Sequence, residues 1–165
     1  DISSLSNWNP SGVKDIGAMF MYANISDISA LSGWDTSNVT SMGHLFYKTK
    51  VTSVDALSNW NTSNVTSLYC TFCLTRLTNL DGLSDWNTSK VTSMYQTFYN
   101  IGTLSNIDGI ANWDVSKVTT MQEMFNSDSR IESLSPLNNW NTASLTNKTR
   151  TFDGIPSSVA RPSWY

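Results

Sequence analysis

Apolar residues recur along this chain with a period of about 26 residues, much longer than the period of a helix or a strand. Each unit has a tryptophan, an aliphatic residue five positions later, a second aliphatic residue, and a phenylalanine, as in Trp86, Val91, Met94 and Phe98. Three aliphatic residues spaced three apart then lead to the next tryptophan. A period between about 20 and 50 residues predicts a solenoid, because one such unit cannot bury its own apolar face.

Six copies of this unit can be aligned on their tryptophans. The copies start at Trp8, Trp34, Trp60, Trp86, Trp113 and Trp140. The last two intervals contain 27 residues rather than 26, and in both the extra residue falls between the phenylalanine and the next aliphatic residue. Insertions in a solenoid fall in loops, so this segment is predicted to be a surface turn.

Equivalent apolar residues from successive copies are predicted to stack into a continuous core. The predicted core residues are Trp34, Trp60, Trp86, Trp113, Val39, Val65, Val91, Val118, Met42, Leu68, Met94, Met121, Phe46, Phe72, Phe98 and Phe125. The phenylalanine column is the strictest, since it is unbroken in all six copies. Each copy is therefore expected to depend on its neighbours for stability.

The local sequence predicts one short helix and one short strand in each unit. Thr92 can cap a helix by accepting a backbone N–H, and Met94 and Phe98 then share one face at a spacing of four residues. Residues 77–80 are predicted to form a short strand that pairs with its equivalents in neighbouring copies. The expected fold class is therefore an α/β repeat solenoid of about six coils.

The solenoid is expected to end before the chain does. Residues 1–152 are predicted to form it, and residues 153–165 a C-terminal cap or tail, because no repeat motif occurs there. Lys148 replaces the aliphatic residue of its column in the last copy, as expected where no further repeat covers the core. Ile2 and Leu5 match the aliphatic positions before a tryptophan, so the chain is expected to begin inside a longer array.

The composition fits one domain and narrows the range of partners. Hydrophobic residues make up 39% of the 165 residues, enough for a buried core. Charged residues make up only 14%, the net charge is -3, and no basic cluster occurs, so a nucleic acid is not an expected partner. The apolar runs are short, so membrane insertion is not expected either. As a fragment, the chain is expected to be monomeric.

The two cysteines, Cys70 and Cys73, form a single Cys-x-x-Cys motif. A common zinc site needs two further ligands, and His44 is the only histidine, so neither a metal nor a cofactor is predicted. A thioredoxin-like dithiol needs a context that the repeats exclude. The sequence favours two small apolar residues at these positions and leaves a disulfide between them open.

No catalytic residue is predicted, and the chain is not expected to be an enzyme. A Ser-His-Asp triad would have to use His44, but Ala18, Gln96 and Glu123 occupy the same position in other copies. Neither a glycine-rich phosphate loop nor the spacing of a calcium loop occurs.

The recurring segments WNTSNVTSLYCTF, WNTSKVTSMYQTF and WDVSKVTTMQEMF resemble the repeats of BspA-type leucine-rich-repeat surface proteins of bacteria. The resemblance covers about nine-tenths of the chain. It implies a leucine-rich-repeat-like solenoid, a secreted or wall-anchored protein on the cell surface, and an adhesive role without catalysis. The expected location is thus extracellular or at the cell wall.

A binding face is predicted where tyrosines recur at equivalent positions. Tyr47 and Tyr99 both follow the core phenylalanine, and Tyr69 and Tyr95 both follow the core methionine or leucine. Tyrosine is enriched in interfaces because it offers a large contact area at low entropic cost. We therefore expect these four residues to contact a host or matrix protein or a glycan.

Two other functions remain open from the sequence. The solenoid could be a passive spacer that holds another domain away from the cell wall. A remote alternative is ice binding, since some ice-binding solenoids array threonines. The threonine row in question is Thr36, Thr62, Thr88 and Thr142, which Pro10 and Val115 interrupt.

Overall fold

The computed structural model describes residues 1–165 as a stack of six coils, one for each repeat. Coils 1 to 6 comprise residues 8–33, 34–59, 60–85, 86–112, 113–139 and 140–152, followed by a C-terminal cap of residues 153–165. Parallel β-bridges join neighbouring coils at equivalent positions, such as Ser41 to Ser67 and Ser67 to Ser93. The repeat solenoid predicted from the sequence is therefore confirmed.

The regular helices of the chain are short 3-10 helices, one before each of the six repeat tryptophans. They are Ser3–Asn7, Ser29–Leu31, Asp55–Leu57, Asp81–Leu83, Asp108–Ile110 and Ser135–Leu137. A polar side chain two residues upstream starts most of them, as where Asn79 Oδ1 accepts the N–H of Asp81 at 3.1 Å. None of the helices has the length and apolar character needed to cross a membrane.

The segment from the core methionine to beyond the phenylalanine forms a ladder of turns. In coil 2, the N–H groups of Leu45 and Thr49 bond back to Met42 and Phe46 and close two tight turns. The N–H groups of Met42 and Phe46 instead donate to carbonyls of coil 3, and four such bonds join each pair of neighbouring coils. We call this segment, residues 42–49 in coil 2 and its equivalents, the turn ladder.

The helix predicted in this segment is wrong. An α-helix bonds its N–H groups internally, so it would leave none to join one coil to the next. The turns also place their third residues, His44 and Lys48 in coil 2, at a φ of 58°. Thr92 does not cap a helix, because its hydroxyl donates to the carbonyl of Thr66 in the previous coil at 3.3 Å.

The strand predicted at residues 77–80 is also wrong. Side chains alternate between the two faces of a strand, so residues three apart would not all point inward. Here Leu77, Leu80 and Leu83 are all fully buried, because the chain bends between them. The parallel bridges lie instead beside the turn ladder, and they involve one residue in each coil.

The core is a set of columns that run along the stack. Phe72 lies between Phe46 and Phe98, with ring centroids at 5.8 and 5.6 Å and ring planes within 15° of parallel. The sixteen residues predicted for the core are at most 4% exposed. Each coil therefore contributes one residue to every column, and the burial of that residue depends on both neighbouring coils.

The C-terminal cap extends the columns by one more rung. Trp164 stacks on Trp140 with centroids 6.2 Å apart and donates its indole N–H to the carbonyl of Leu137 at 2.9 Å. The Tyr165 ring packs edge-on against Phe152 at 4.8 Å. Lys148 Nζ donates to the carbonyls of Trp164 and Tyr165, each at 2.8 Å. The polar residue in the last methionine position thus fastens the cap to the final coil.

Candidate binding face

The turn ladder sends half of its side chains into the core and half outward. In coil 2, Met42, Leu45, Phe46 and Thr49 are buried, which leaves the second, third, sixth and seventh positions on the outside. All four tyrosines proposed as contact residues occupy such outward positions. Each of them is partly exposed. The fold therefore places them along one side of the stack.

Tyr47, Tyr69 and Tyr95 lie in one aromatic cluster. Tyr69 and Tyr95 stack with their centroids 5.0 Å apart and their planes at 11°. The His44 ring contacts Tyr69 edge-on at 4.4 Å and Tyr47 at 5.7 Å. The group extends to Tyr22, whose ring meets Tyr47 edge-on at 5.1 Å. We call the surface formed by Tyr22, His44, Tyr47, Tyr69, Tyr95 and Tyr99 the tyrosine face.

Two phenols of this face, Tyr47 and Tyr95, have a pKa raised above the ordinary value of tyrosine. Burial raises the pKa of Tyr47, and the hydrogen bond and charge of Tyr22 raise it further. Burial also raises the pKa of Tyr95, as does the charge of Glu123. Tyr99 lies close enough to contribute to both shifts. At neutral pH these hydroxyls are therefore hydrogen-bond donors as well as acceptors.

Two members of the tyrosine face were not predicted. Tyr22 and Tyr47 occupy different positions in their repeats, so an alignment that compares equivalent residues does not pair them. They meet diagonally between coils 1 and 2. His44 was treated as a freely varying residue, although it separates Tyr47 from Tyr69. These contacts could have been predicted by comparing aromatic residues up to four repeat positions apart in adjacent copies, rather than only residues at the same position.

A disulfide lies at the centre of the tyrosine face. Cys70 and Cys73 are bonded, with their Cα atoms 4.9 Å apart, so the favoured interpretation of two unlinked apolar residues is wrong. The turn closed by the Cys73 N–H and the Cys70 carbonyl brings the two residues within disulfide range. Cys73 takes the position that Tyr47 and Tyr99 occupy in the adjoining coils, and both cysteines are buried.

Beyond coil 4 the same side of the stack becomes polar. Gln96 Nε2 donates to Glu123 Oε2 at 2.7 Å, and Arg150 pairs with the other oxygen of Glu123 at 3.1 Å. Asn147 likewise donates to Gln122 at 2.8 Å. These side chains bond to one another between coils, so the aromatic part of the surface ends at coil 4.

The threonine row considered for ice binding lies mostly inside the molecule. Thr36, Thr62 and Thr88 are at most 3% exposed. Their hydroxyls donate to backbone carbonyls of the following coil, for example from Thr62 to Asn87 at 3.1 Å. These three hydroxyls join coils and form no outer surface, which removes the basis for the ice-binding alternative.

Comparison with known proteins gives a family and one distant structural likeness. No curated protein matches this chain. An internalin from Listeria monocytogenes has 20% sequence identity and a TM-score of 0.36, over 76% of this chain and 40% of the internalin chain. This chain thus spans less than half the length of that internalin. The profile of a family described as "Mycoplasma protein of unknown function, DUF285" matches residues 1–106 and again residues 70–159. Because the two matches together cover most of the repeats, the chain belongs to the DUF285 family.

Proposed function

We propose that this chain is a non-catalytic binding module of a bacterial surface protein and that the tyrosine face contacts its ligand, a protein or a glycan. The observation that supports this proposal is the concentration of aromatic side chains on one side of a molecule whose other surfaces are mostly serine, threonine and asparagine. Tyrosine is over-represented in interfaces, whereas these hydroxyl and amide residues are common on ordinary surfaces.

The hydroxyls on other sides of the stack are largely committed to the fold. Thr66, Thr92 and Thr119 are exposed, yet each hydroxyl donates to the carbonyl of the equivalent residue one coil earlier. The tyrosine rings have no such structural hydrogen bond to backbone carbonyls. These tyrosine side chains are not needed to join the coils by hydrogen bonds, which favours a role in contact with a partner. The resemblance to BspA-type repeats supports a location outside the cell.

The proposal is tested by replacing Tyr95 and Tyr99 together with Ser. Binding of the purified chain to arrays of extracellular matrix proteins and glycans is expected to fall by about tenfold or more, because a few aromatic residues often dominate an interface. A matched control replaces the exposed residues Asp85 and Lys90 with Ser, and it should bind like the parent chain.

The melting temperature of each variant separates lost contacts from lost folding. A tyrosine double variant that binds normally and melts normally would remove the tyrosine face from consideration. If the parent chain bound nothing on either array, a passive spacer would be the better description of this solenoid.

A further inference from the structure

In coils 1 to 4, acidic residues recur in the row of 3-10 helices and are absent from the outward positions of the turn ladder. The acidic residues in the row of 3-10 helices are Asp55, Asp81 and Asp108, each the first residue of its helix. In contrast, the outward positions of the turn ladder contain no Asp or Glu in these coils. The tyrosine face therefore lacks carboxylates, although the net charge of the chain is -3.

Basic side chains border the tyrosine face along one edge. The hydroxyls of Thr49 and Thr75 point inward and donate to the carbonyls of Phe46 and Phe72 at 2.9 and 2.8 Å. The residues that follow these two threonines, Lys50 and Arg76, are exposed at equivalent positions of coils 2 and 3.

Lys48 adds a third cation on the other side of Thr49. Its Nζ lies 5.5 Å from the centroid of the Tyr22 ring, so this charge is in direct contact with the aromatic cluster. Two carboxylates approach this side of the stack. Asp15, just before the turn ladder of coil 1, accepts the N–H of Gly17 at 2.7 Å. Glu123 in coil 5 pairs with Arg150 at 3.1 Å. The three cations Lys48, Lys50 and Arg76 outnumber Asp15, so the charge beside the tyrosine face in coils 1 to 4 is positive.

The arrangement of the rings limits what they can bind. Sugars bind aromatic residues by lying flat on an open ring face. Tyr69 and Tyr95 cover one another at 5.0 Å, and the edge of His44 approaches Tyr69 at 4.4 Å. Tyr69 consequently presents its edge and its hydroxyl to a partner, which suits backbone carbonyls and carboxylates better than a sugar ring.

We propose that the tyrosine face binds an acidic segment of a polypeptide. Carboxylates of the segment meet Lys50 and Arg76, and the phenol hydroxyls donate to its backbone carbonyls. This inference rests on the proposed function and specifies the partner by its charge and its polypeptide backbone. Charge complementarity of this kind makes association strongly dependent on ionic strength.

The test uses a fluorescent synthetic peptide in which Glu alternates with Val, and a matched peptide in which Lys replaces Glu. Fluorescence anisotropy with the parent chain is measured at about 0.05 M and about 0.5 M salt. We expect the acidic peptide alone to bind and to bind at least about tenfold more weakly at high salt. The Lys50→Ala/Arg76→Ala variant is expected to weaken binding by about tenfold at low salt.

Lys90 and Lys117 provide a matched control. They are exposed cations in coils 4 and 5 that precede the core valine, on the opposite side of the turn ladder from Lys50. The Lys90→Ala/Lys117→Ala variant loses the same charge and is expected to bind the acidic peptide normally. Equal weakening in both variants, equal binding of the basic peptide, or no binding of the acidic peptide would overturn the inference.

The matrix and glycan arrays distinguish failure of this inference from failure of the proposed function. Ligand binding that requires Tyr95 and Tyr99, together with no affinity for the acidic peptide, would reject only the acidic polypeptide. Binding of sialyllactose by the parent chain, lost in the tyrosine variant, would identify an anionic glycan instead. If the parent chain bound nothing on the arrays and did not bind the acidic peptide, both proposals would be rejected.

Discussion

The backbone carbonyl of Leu57 accepts a hydrogen bond from the indole N–H of Trp86, 29 residues further along the chain, at 3.0 Å. The same carbonyl also accepts the backbone N–H of Trp60 at 3.1 Å. Equivalent indole bonds, each to a carbonyl 27 to 30 residues earlier, are made by Trp34, Trp60, Trp113, Trp140 and Trp164. The tryptophan column therefore joins coils by hydrogen bonding as well as by apolar packing.

Replacing Trp86 separates these two contributions. Trp86→Phe removes the indole bond but leaves the Leu57 carbonyl with its other donor, so the free energy of unfolding should fall by about 1 kcal/mol plus a smaller packing loss. Trp86→Ala also removes the buried ring and should cost about 3–5 kcal/mol. Urea unfolding of both variants measures the difference. Equal losses would show that ring packing contributes little.

Trp164, in the C-terminal cap, is expected to stabilise the end of the stack. Trp164→Ala loses a stacked ring and an indole bond, so we expect a loss of about 2 kcal/mol, less than in the middle of the stack because the ring is partly exposed. Trp8 is 38% exposed at the open end of the stack, and Trp8→Ala should cost less than about 1 kcal/mol. Thermal unfolding of the two variants compares the ends. A larger loss at Trp8 would contradict the role given to the cap.

Gly109 lies where two 3-10 helices approach closely. A Cβ atom added there would overlap the carbonyl oxygen of Leu80, and these backbone atoms cannot easily move apart. Gly109→Ala should therefore destabilise the fold by about 2 kcal/mol or more. Gly102 is the matched control, because an added Cβ would meet nothing within 4 Å. Thermal melts of both variants test this, and equal melting temperatures would contradict the close approach.

Asp128 is a fully buried carboxyl in the inserted turn of coil 5. Its Oδ1 accepts the N–H of Ile101 in coil 4, and its Oδ2 has no hydrogen-bond partner. Burial raises the pKa of Asp128 well above its ordinary value, and the bond from Ile101 offsets this only in part. The folded protein therefore binds this proton more tightly than the unfolded chain does.

The sign of the pH effect follows from that difference. The contribution of Asp128 to stability is fully present below its unfolded pKa and is lost as the pH rises through its folded pKa. Asp128→Asn keeps an acceptor for Ile101 but does not ionise, so its stability relative to the parent chain should increase as the pH rises above the ordinary aspartate pKa of about 3.9. Urea unfolding at acidic, neutral and alkaline pH measures this difference. A difference that stays constant with pH would contradict a raised pKa of Asp128.

The columns of the core were predictable from the sequence, but the backbone that carries them was not. Met94 and Phe98 are four residues apart, a spacing that two successive turns share with one α-helix. What distinguishes turns from a helix in the sequence is the composition of the third and seventh positions of the turn ladder, where φ is positive. In a chain rich in threonine, neither position holds a Thr, Val or Ile in any copy, because branched side chains fit poorly in that conformation.

The tyrosine face, like the fold, was only partly predictable from the sequence. Equivalent positions identified Tyr69 and Tyr95, which stack directly. His44 and Tyr22 instead contact residues at different repeat positions in the adjacent coil. Such contacts depend on how far one coil is displaced from the next, and the repeat length alone does not give this displacement. Trp164 was missed because it follows Trp140 by fewer residues than a repeat and reaches its place by a different path.

In the turn ladder, the N–H groups that join coils always donate to carbonyls of the following coil, never to those of the preceding coil. Every coil therefore presents acceptors to the coil before it and donors to the coil after it, so any two coils could be neighbours. Removal of residues 60–85 as a block would bring the donors of coil 2 opposite the acceptors of coil 4. A deletion within the turn ladder that is not a whole repeat would shift donors away from their acceptors, whereas the turn after the phenylalanine accepts one extra residue in coils 4 and 5 without loss of ladder bonds.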